Sequence, residues 1–346
     1  MNRWLKRIMA ALTVAGVIAI LVAGRVVHDL RQPLELDEPV IIEVTPGMSL
    51  RQLGNRMADR DLLASAWLLT LPGRWNGSSR AIQAGEYRLQ PGMRPADVLE
   101  LLIRGRTIQH PVVLVEGWQF RDVLQDLWRN NVIDNTLEGQ EETVIMEALE
   151  IAWPSPEGAF FPDTYHVTRG TSDVDLLRRA AGRLQQVLEE EWQRRAVALP
   201  YDSPYEALIM ASIVEKESAH RPEMPRIAGV FMRRLQQGMR LQSDPTVIYG
   251  MGEAYDGDIR REDLTTTTPY NTYRVNGLPP TPIALAGRDA IRAALQPAEE
   301  EYLYFVSRGD GTHQFSETLE QHNAAVRRFI LGEAVDPDAE RDEGTP

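Results

Sequence analysis

The stretch Ala207–Ser218 (ALIMASIVEKES) ends in two carboxylates, Glu215 and Glu217, separated by one lysine and followed by a serine. A carboxylate beside an apolar surface has its charged form desolvated, and its pKa rises. A general acid working near neutral pH needs that rise. Seven of the first eight residues, Ala207–Val214, are apolar around the full circumference, which predicts a central, buried helix. With about 100° of turn per residue, Glu217 shares a face with Met210, Ile213 and Val214, while Glu215 lies nearly opposite, beside Leu208 and Ala211. Periodicity does not choose between the two. A plainer reading stands beside the catalytic one: both carboxylates end a core helix where it meets water.

Further along, Gln242, Asp244-Pro-Thr-Val-Ile-Tyr249 and Tyr270-Asn271-Thr272-Tyr273 mix aromatic rings with short amide, hydroxyl and carboxylate groups. A saccharide calls for that mixture, with apolar ring faces to stack on and hydrogen-bond partners for hydroxyl and acetamido groups. Gln242 and Asn271 are candidates for the acetamido contact. The competing reading is a hydrogen-bonded turn in which Asp244 and Asn271 satisfy backbone groups. Glu157 and Asp163 flank Phe160-Phe161-Pro162, a segment that either lines a cleft or plugs a core. His313 and His322 lack a ligand-like carboxylate pattern, so neither a metal nor another cofactor is expected.

The elements that must position these groups read as an α+β chain. A β-like run, a turn with glycine and a helix-like stretch recur three times: Val40–Val44 before Gly47, Gly85–Leu89 before Gly92, and Pro111–Val115 before Gly117. Ser49 is placed to cap the first helix and Pro95 to open the second. The unequal spacing excludes a solenoid. The first two repeats are read as one small α/β module, residues 40–108, in which Trp67, Trp75 and Tyr87 either pack or meet ligand. The third opens a larger mixed α+β domain, 109–332. That domain is expected to hold helices near 143–152, 174–197, 204–218 and 224–237, a turn-rich region at 241–282, a strand at 302–307 and a helix at 316–331. Residues 333–346 form an acidic tail with little apolar content, expected to be disordered.

The N-terminus bears on location. Ile8–Gly24 carries no charge and is preceded by Arg3, Lys6 and Arg7. A cleaved signal peptide and a retained anchor compete here. Leu21 spoils a small-x-small cleavage pattern with Ala23, which favours the anchor. The basic residues place 1–7 in the cytoplasm, 8–24 in the membrane, 25–39 in a polar tether and the rest outside the cytoplasm. A net charge of −13 argues against a nucleic-acid partner. The absence of cysteine excludes disulfides, thiolate nucleophiles and cysteine zinc modules.

Taken together and in order, several of these motifs resemble the endolytic murein transglycosylase (YceG-like) family. They are Glu157–Tyr165, AlaSerIleValGluLysGluSer through Ser218, Arg240–Tyr249, Tyr270–Tyr273, Gly277-Leu-Pro-Pro280, Tyr302–Val306, Gly311-Thr-His313 with Phe315, and His322-Asn323. The likeness runs over roughly residues 40–332. It implies that Glu217, the second glutamate of the triplet, is catalytic. It also nominates Ser218, Gln242, Asp244, Tyr249, Tyr270, Asn271, Tyr273, Glu157, His313, Phe315 and Asn323 as substrate-binding candidates. The family's small module is LysM-like, which implies peptidoglycan binding. The implied activity is cleavage of the β-1,4 bond after N-acetylmuramic acid, leaving a 1,6-anhydro end. The substrate is peptidoglycan glycan strands, worked from the inner membrane with the catalytic domain in the periplasm and with peptidoglycan synthases as possible partners. A lysozyme-like hydrolase and a non-catalytic peptidoglycan-binding scaffold are the alternatives.

Overall fold

In the computed structural model, which describes residues 3–75, 82–218 and 220–332, helix α1 spans Arg3–Arg31. At about 1.5 Å per residue, its 29 residues exceed the roughly 30 Å of a bilayer core. The Arg7–Arg31 part is long enough to cross a membrane, and none of its most apolar 18-residue stretch is buried in the protein. The helix continues past Gly24 through residues expected to be a tether. Arg25 and Asp29 pair one turn apart there, at 3.0 Å, which supports the extra helical turns. The rest of the expected tether is also anchored: Leu34 is buried, and its N–H donates to the Met93 carbonyl at 2.7 Å. The acidic tail at 333–346 lies outside the described residues.

The chain divides into two compact units. The first comprises 1–110 and 166–171, and the second 111–165 and 172–346. In the first, strands β1 (Val40–Val44) and β2 (Gly85–Leu89) pair antiparallel, with Val40 opposite Leu89. Alternation turns Ile42, Val44, Tyr87 and Leu89 to one face, where they are buried with residues of helices α2 (Leu50–Ala58), α3 (Trp67–Trp75) and α4 (Pro95–Ile103). Ser49 caps α2 by accepting the Gln52 N–H, and the Gln52 side chain returns the bond to the Ser49 N–H at 2.8 Å. Tyr87 is a core residue whose hydroxyl donates to the Gln83 carbonyl at 2.7 Å. Trp67 packs, partly buried, against the same core.

The strand, glycine turn and helix recur at β3 (His110–Val113), Gly117 and α5 (Phe120–Arg129). Gly47, Gly92 and Gly117 share a left-handed backbone, with φ of 78°, 84° and 78°. That region costs glycine little and other residues more. After β4 (Ile133–Asp134), α6 (Glu142–Leu149), β5 (Thr164–Val167) and β6 (Thr171–Ser172), the helical body of the second unit begins. It consists of α7 (Asp173–Trp192), α8 (Pro204–Glu217), α9 (Met224–Gln236), α10 (Asp244–Met251), α11 (Arg261–Thr265) and α12 (Arg288–Leu295).

Helix α8 is its centre and packs against α7, α9, α10 and α12. Every residue from Ala207 to Val214 is buried, including Ser212, whose hydroxyl donates to the Ile209 carbonyl and accepts the Ile283 N–H. Each fully buried Leu, Ile, Met or Val on such a helix stabilises the fold by roughly 1.5–3 kcal/mol. The unit closes with the antiparallel pair β7 (Tyr304–Ser307) and β8 (His313–Ser316), then α13 (Leu319–Phe329). Residues 316–318, expected in the last helix, end the strand and provide its cap: Thr318 accepts the Gln321 N–H.

Candidate active site

Ser203 starts α8 by accepting the Glu206 N–H, and Pro204 occupies the first turn. At the other end Ser218 turns to extended backbone, with φ −140° and ψ 122°, so Glu217 is the last helical residue. The negative end of the helix dipole therefore adds to whatever disfavours its charge.

Glu217 is half-buried. Burial pushes its carboxyl up to about 7, against the Ser243 hydroxyl, which holds it down; the charge of Asp244 raises it and that of Arg234 lowers it. Ser243 Oγ donates to Glu217 Oε1 at 2.5 Å. The hydroxyl is aimed by its own backbone. The Ser243 N–H donates to Thr272 Oγ1 at 3.0 Å, the Ser243 carbonyl accepts from Thr246 Oγ1 at 2.7 Å, and the two threonine hydroxyls are 2.8 Å apart. Just before it, Gln242 has φ of 54°, an uncommon conformation for a residue with a side chain. Asp244, at the start of α10, accepts the Tyr273 hydroxyl on Oδ1 at 2.6 Å.

Glu215 has a different fate. Its Oε2 accepts the N–H of Gly287, the cap residue of α12, at 2.9 Å. Burial raises its pKa, the Gly287 bond opposes this, and Glu116 raises it further. Glu215, Ser218 and Trp118 also border a surface cavity of about 560 Å³. The two carboxylates left open by periodicity are thus separated by partner. Glu215 ties α8 to α12, and Glu217 accepts the Ser243 hydroxyl and feels the charge of Asp244, both at the start of α10.

Among the other nominated residues, Gln242 and Asp244 are exposed and Tyr273 is half-buried; the charge of Asp244 acts on Glu217, and Tyr273 is bonded to Asp244. Asn271 does not fit the acetamido role. It is 1 % exposed, its amide donates to the carbonyls of Asp263, Leu264 and Thr266, and its Oδ1 accepts the Tyr273 N–H. A side chain so engaged holds a turn. Phe315 is a core residue, packed near Tyr302 and Phe305. Ser218 is 3 % exposed and bonded locally to His220 through its hydroxyl. His313 pairs with Glu223 at 2.8 Å. Asn323 is exposed on α13.

Phe160 and Phe161 are buried, which makes their segment a core plug, and Glu157 is buried with them. Tyr249 and Tyr270 meet edge to face at 4.8 Å, each with its hydroxyl engaged within the protein, Tyr249 on Glu157 and Tyr270 on Thr281. Two contributors were missed from sequence: Ser243 and Arg234. Arg234 is 7 % exposed on α9, donating to the Leu303 carbonyl at 2.7 Å and the Leu241 carbonyl at 2.6 Å. An arginine seven residues after Ile227 and three after Phe231, on an apolar stripe, is the signal that could have found it.

The YceG-like family model matches residues 42–328. A protein of Bacillus subtilis named endolytic murein transglycosylase is 30% identical over 324 residues, covering 87% of this chain and 88% of that protein. One of the same name from Streptococcus pneumoniae is 25% identical, covering 84% of this chain and 58% of its own length. A crystal structure of a yceG-like protein from Listeria monocytogenes superposes with a TM-score of 0.51 at 27% identity, covering 83% of this chain and 99% of that one. With the match extending from β1 through α13 and taking in the whole Glu217 site, the chain belongs to the YceG-like family.

Proposed function

We propose that this chain is an endolytic lytic transglycosylase that cleaves the MurNAc–GlcNAc β-1,4 bond of peptidoglycan, with Glu217 as general acid and then base. The observation that carries it is a single half-buried carboxyl, at the end of a rigid core helix, that titrates near neutrality on a hydroxyl partner. The curated relatives named endolytic murein transglycosylase support the reaction class. Protonated Glu217 donates to the glycosidic oxygen as the bond breaks. The resulting carboxylate then removes the proton from the muramoyl C6 hydroxyl, which attacks C1 and closes the anhydro ring. One carboxylate performs both transfers, and a pKa near 7 suits each. Exposed Gln242 and Asp244 and half-buried Tyr273 are the groups proposed to meet sugar.

Asp244 favours a second reading. Its charge acts on Glu217, and a pair of carboxylates is what a hydrolase with a water or covalent step employs. Mass spectrometry of products from intact sacculi separates the two, because an anhydro-muramoyl end is lighter than a reducing end by one water. Reducing ends alone would defeat the transglycosylase reading, and no released product would favour a non-catalytic scaffold.

Helix α1 is proposed as a single-pass inner-membrane anchor, with residues 1–7 cytoplasmic and the chain after it, catalytic domain included, in the periplasm. The 40–108 module is proposed as LysM-like and glycan-binding, and peptidoglycan synthases as partners. Anchoring would keep the enzyme near newly made strands.

A further inference from the structure

Glu157 is 5 % exposed, and both of its oxygens are occupied by donors from elements distant in sequence. Oε1 accepts the N–H of Phe120, the first residue of α5, at 3.0 Å, and Oε2 accepts the Tyr249 hydroxyl at 3.2 Å. The loop that carries it is fixed. Phe160 stacks on Phe120 at 5.4 Å, and Gly158, with φ of 71°, lies so close to Pro282 that an added Cβ would sit 2.5 Å from the proline Cβ. No side chain larger than hydrogen fits there without displacing backbone. Glu157 is therefore closed to substrate, contrary to its nomination as a binding residue.

What the carboxylate does hold is the far end of α10. Tyr249 is near the C-terminus of this helix, and its ring is pressed edge to face on Tyr270, whose hydroxyl meets Thr281 Oγ1 at 2.9 Å. Asp244 and the cap residue Ser243 are at the N-terminus of the same helix, against Glu217. Eight residues make a rod about 12 Å long that links the two ends.

We propose that Glu157 is a positioning residue that acts through Tyr249. By tethering the C-terminal end of α10 to the start of α5, it sets the register in which Ser243 and Asp244 face Glu217. The proposal rests on Glu217 being the acid/base. The groups facing Glu157 are the Phe120 and Gly158 N–H groups, the Tyr249 hydroxyl and, through its charge, Asp122. Those facing Glu217 are Ser243, Asp244 and Arg234, with Tyr273 beside Asp244. Loosening α10 weakens the Ser243 bond, which favours the ionised form of Glu217, and also the smaller opposing influence of the Asp244 charge, so the pH at which Glu217 titrates rises.

The test uses full-length protein in detergent, with kcat and KM on intact glycan measured from pH 5 to 9. Ser243→Ala should move the limb assigned to Glu217 to higher pH, and Glu157→Ala should move it the same way. In Glu157→Ala, kcat should fall roughly tenfold with KM nearly unchanged, as expected when geometry at the reacting atoms is lost. Tyr249→Phe, which keeps the ring contact with Tyr270, should reproduce the shift in smaller measure and carries the test where Glu157→Ala does not fold. Glu157→Gln, still able to accept one bond, should recover part of the loss. In the Glu157→Ala/Ser243→Ala double variant the limb should move no further than in Ser243→Ala alone. A limb and kcat like wild type in both Glu157→Ala and Tyr249→Phe, or shifts that add fully in the double variant, overturn the proposal. Activity surviving in Glu217→Gln would instead refute the acid/base assignment, so the two failures are distinct.

Discussion

Replacing Glu217 by glutamine should abolish activity and, at alkaline pH, stabilise the protein. Burial pushes the carboxyl up to about 7 in the fold, against an ordinary value of 4.5. Its raised folded pKa means that its protonated form is the one the fold favours. The associated stability is fully present below pH 4.5 and is lost as pH climbs through 7. A shift of that size corresponds to at most about 3 kcal/mol. Because the side chain is partly open to water, a loss of about 2 kcal/mol between pH 5 and pH 8 is the working figure. Glutamine keeps the shape and an oxygen to accept the Ser243 hydroxyl, but it has no charge to desolvate. The gap in stability between Glu217→Gln and wild type should therefore widen in favour of the variant by about 2 kcal/mol from pH 5 to pH 8. Urea denaturation of both proteins at the two pH values measures it. In parallel, anhydro-product formation should drop by about two to four orders of magnitude. Wild-type kcat/KM should decline above pH 7 as the acid ionises. A stability gap that does not change with pH would refute the reasoning, because the carboxyl would then not be desolvated. Glu215→Gln, whose partner is a backbone N–H on α12, should retain most activity.

Three shorter expectations accompany it. Asp244→Asn removes a charge that raises Glu217, so the alkaline limb of kcat/KM should move to lower pH; an unmoved limb would place Asp244 outside the reach of Glu217. Asn271→Ala removes an amide N–H2 shared among three backbone carbonyls and one accepted bond from a buried turn, and should cost about 2–3 kcal/mol of stability, while the molecules still folded at low temperature keep near-normal KM; a raised KM with unchanged melting would restore a sugar-binding role. The full chain should sediment with membranes and resist extraction by salt or carbonate, and release by either would count against α1 as a span.

The helix carrying Glu217 was legible because eight consecutive positions, all buried in the fold, hold seven apolar residues and one serine. A pattern local to one element is enough for that inference. The choice between Glu215 and Glu217 was not legible from the wheel. The deciding groups, Gly287 for one and Ser243 for the other, are 72 and 26 residues away in sequence. Asn271 shows the same limit: polar residues that hold a turn and polar residues that hold a sugar are the same residue types. Helix α10 was hidden in a region read as turns, because Pro245 and Gly250 punctuate it and it is only eight residues long. Helix α12 escaped for a similar reason. Its eight residues, entered through Gly287 straight after a continuously buried run, Ile283–Ala286, are too few to show a sustained period. The strand, glycine turn and helix repeats were readable because their signals, a capping residue and a left-handed glycine, are local.

The choice of partner explains why Glu217 is raised towards neutrality when Glu191 and Glu86 of the same chain are lowered. Glu191 is fully buried, and burial pushes its pKa up, but Arg292 and Arg288 outweigh that and hold it below the usual range. Glu86 follows the same pattern, with Arg169 and His110 offsetting its burial. Glu217, Glu157 and Glu215 are raised instead, and the hydrogen bonds each receives come from neutral donors, a serine or tyrosine hydroxyl or backbone N–H groups. A neutral donor orients a carboxylate without supplying the charge that would keep it ionised. Arg234 is the cation near Glu217, and its guanidinium is occupied by the carbonyls of Leu241 and Leu303, so it lowers the carboxyl only through its field. The requirement of the proposed acid step is thus met by what is withheld. An arginine at position 243 would satisfy Glu217 better and, by fixing its charge, would remove the proton that the proposed first step delivers.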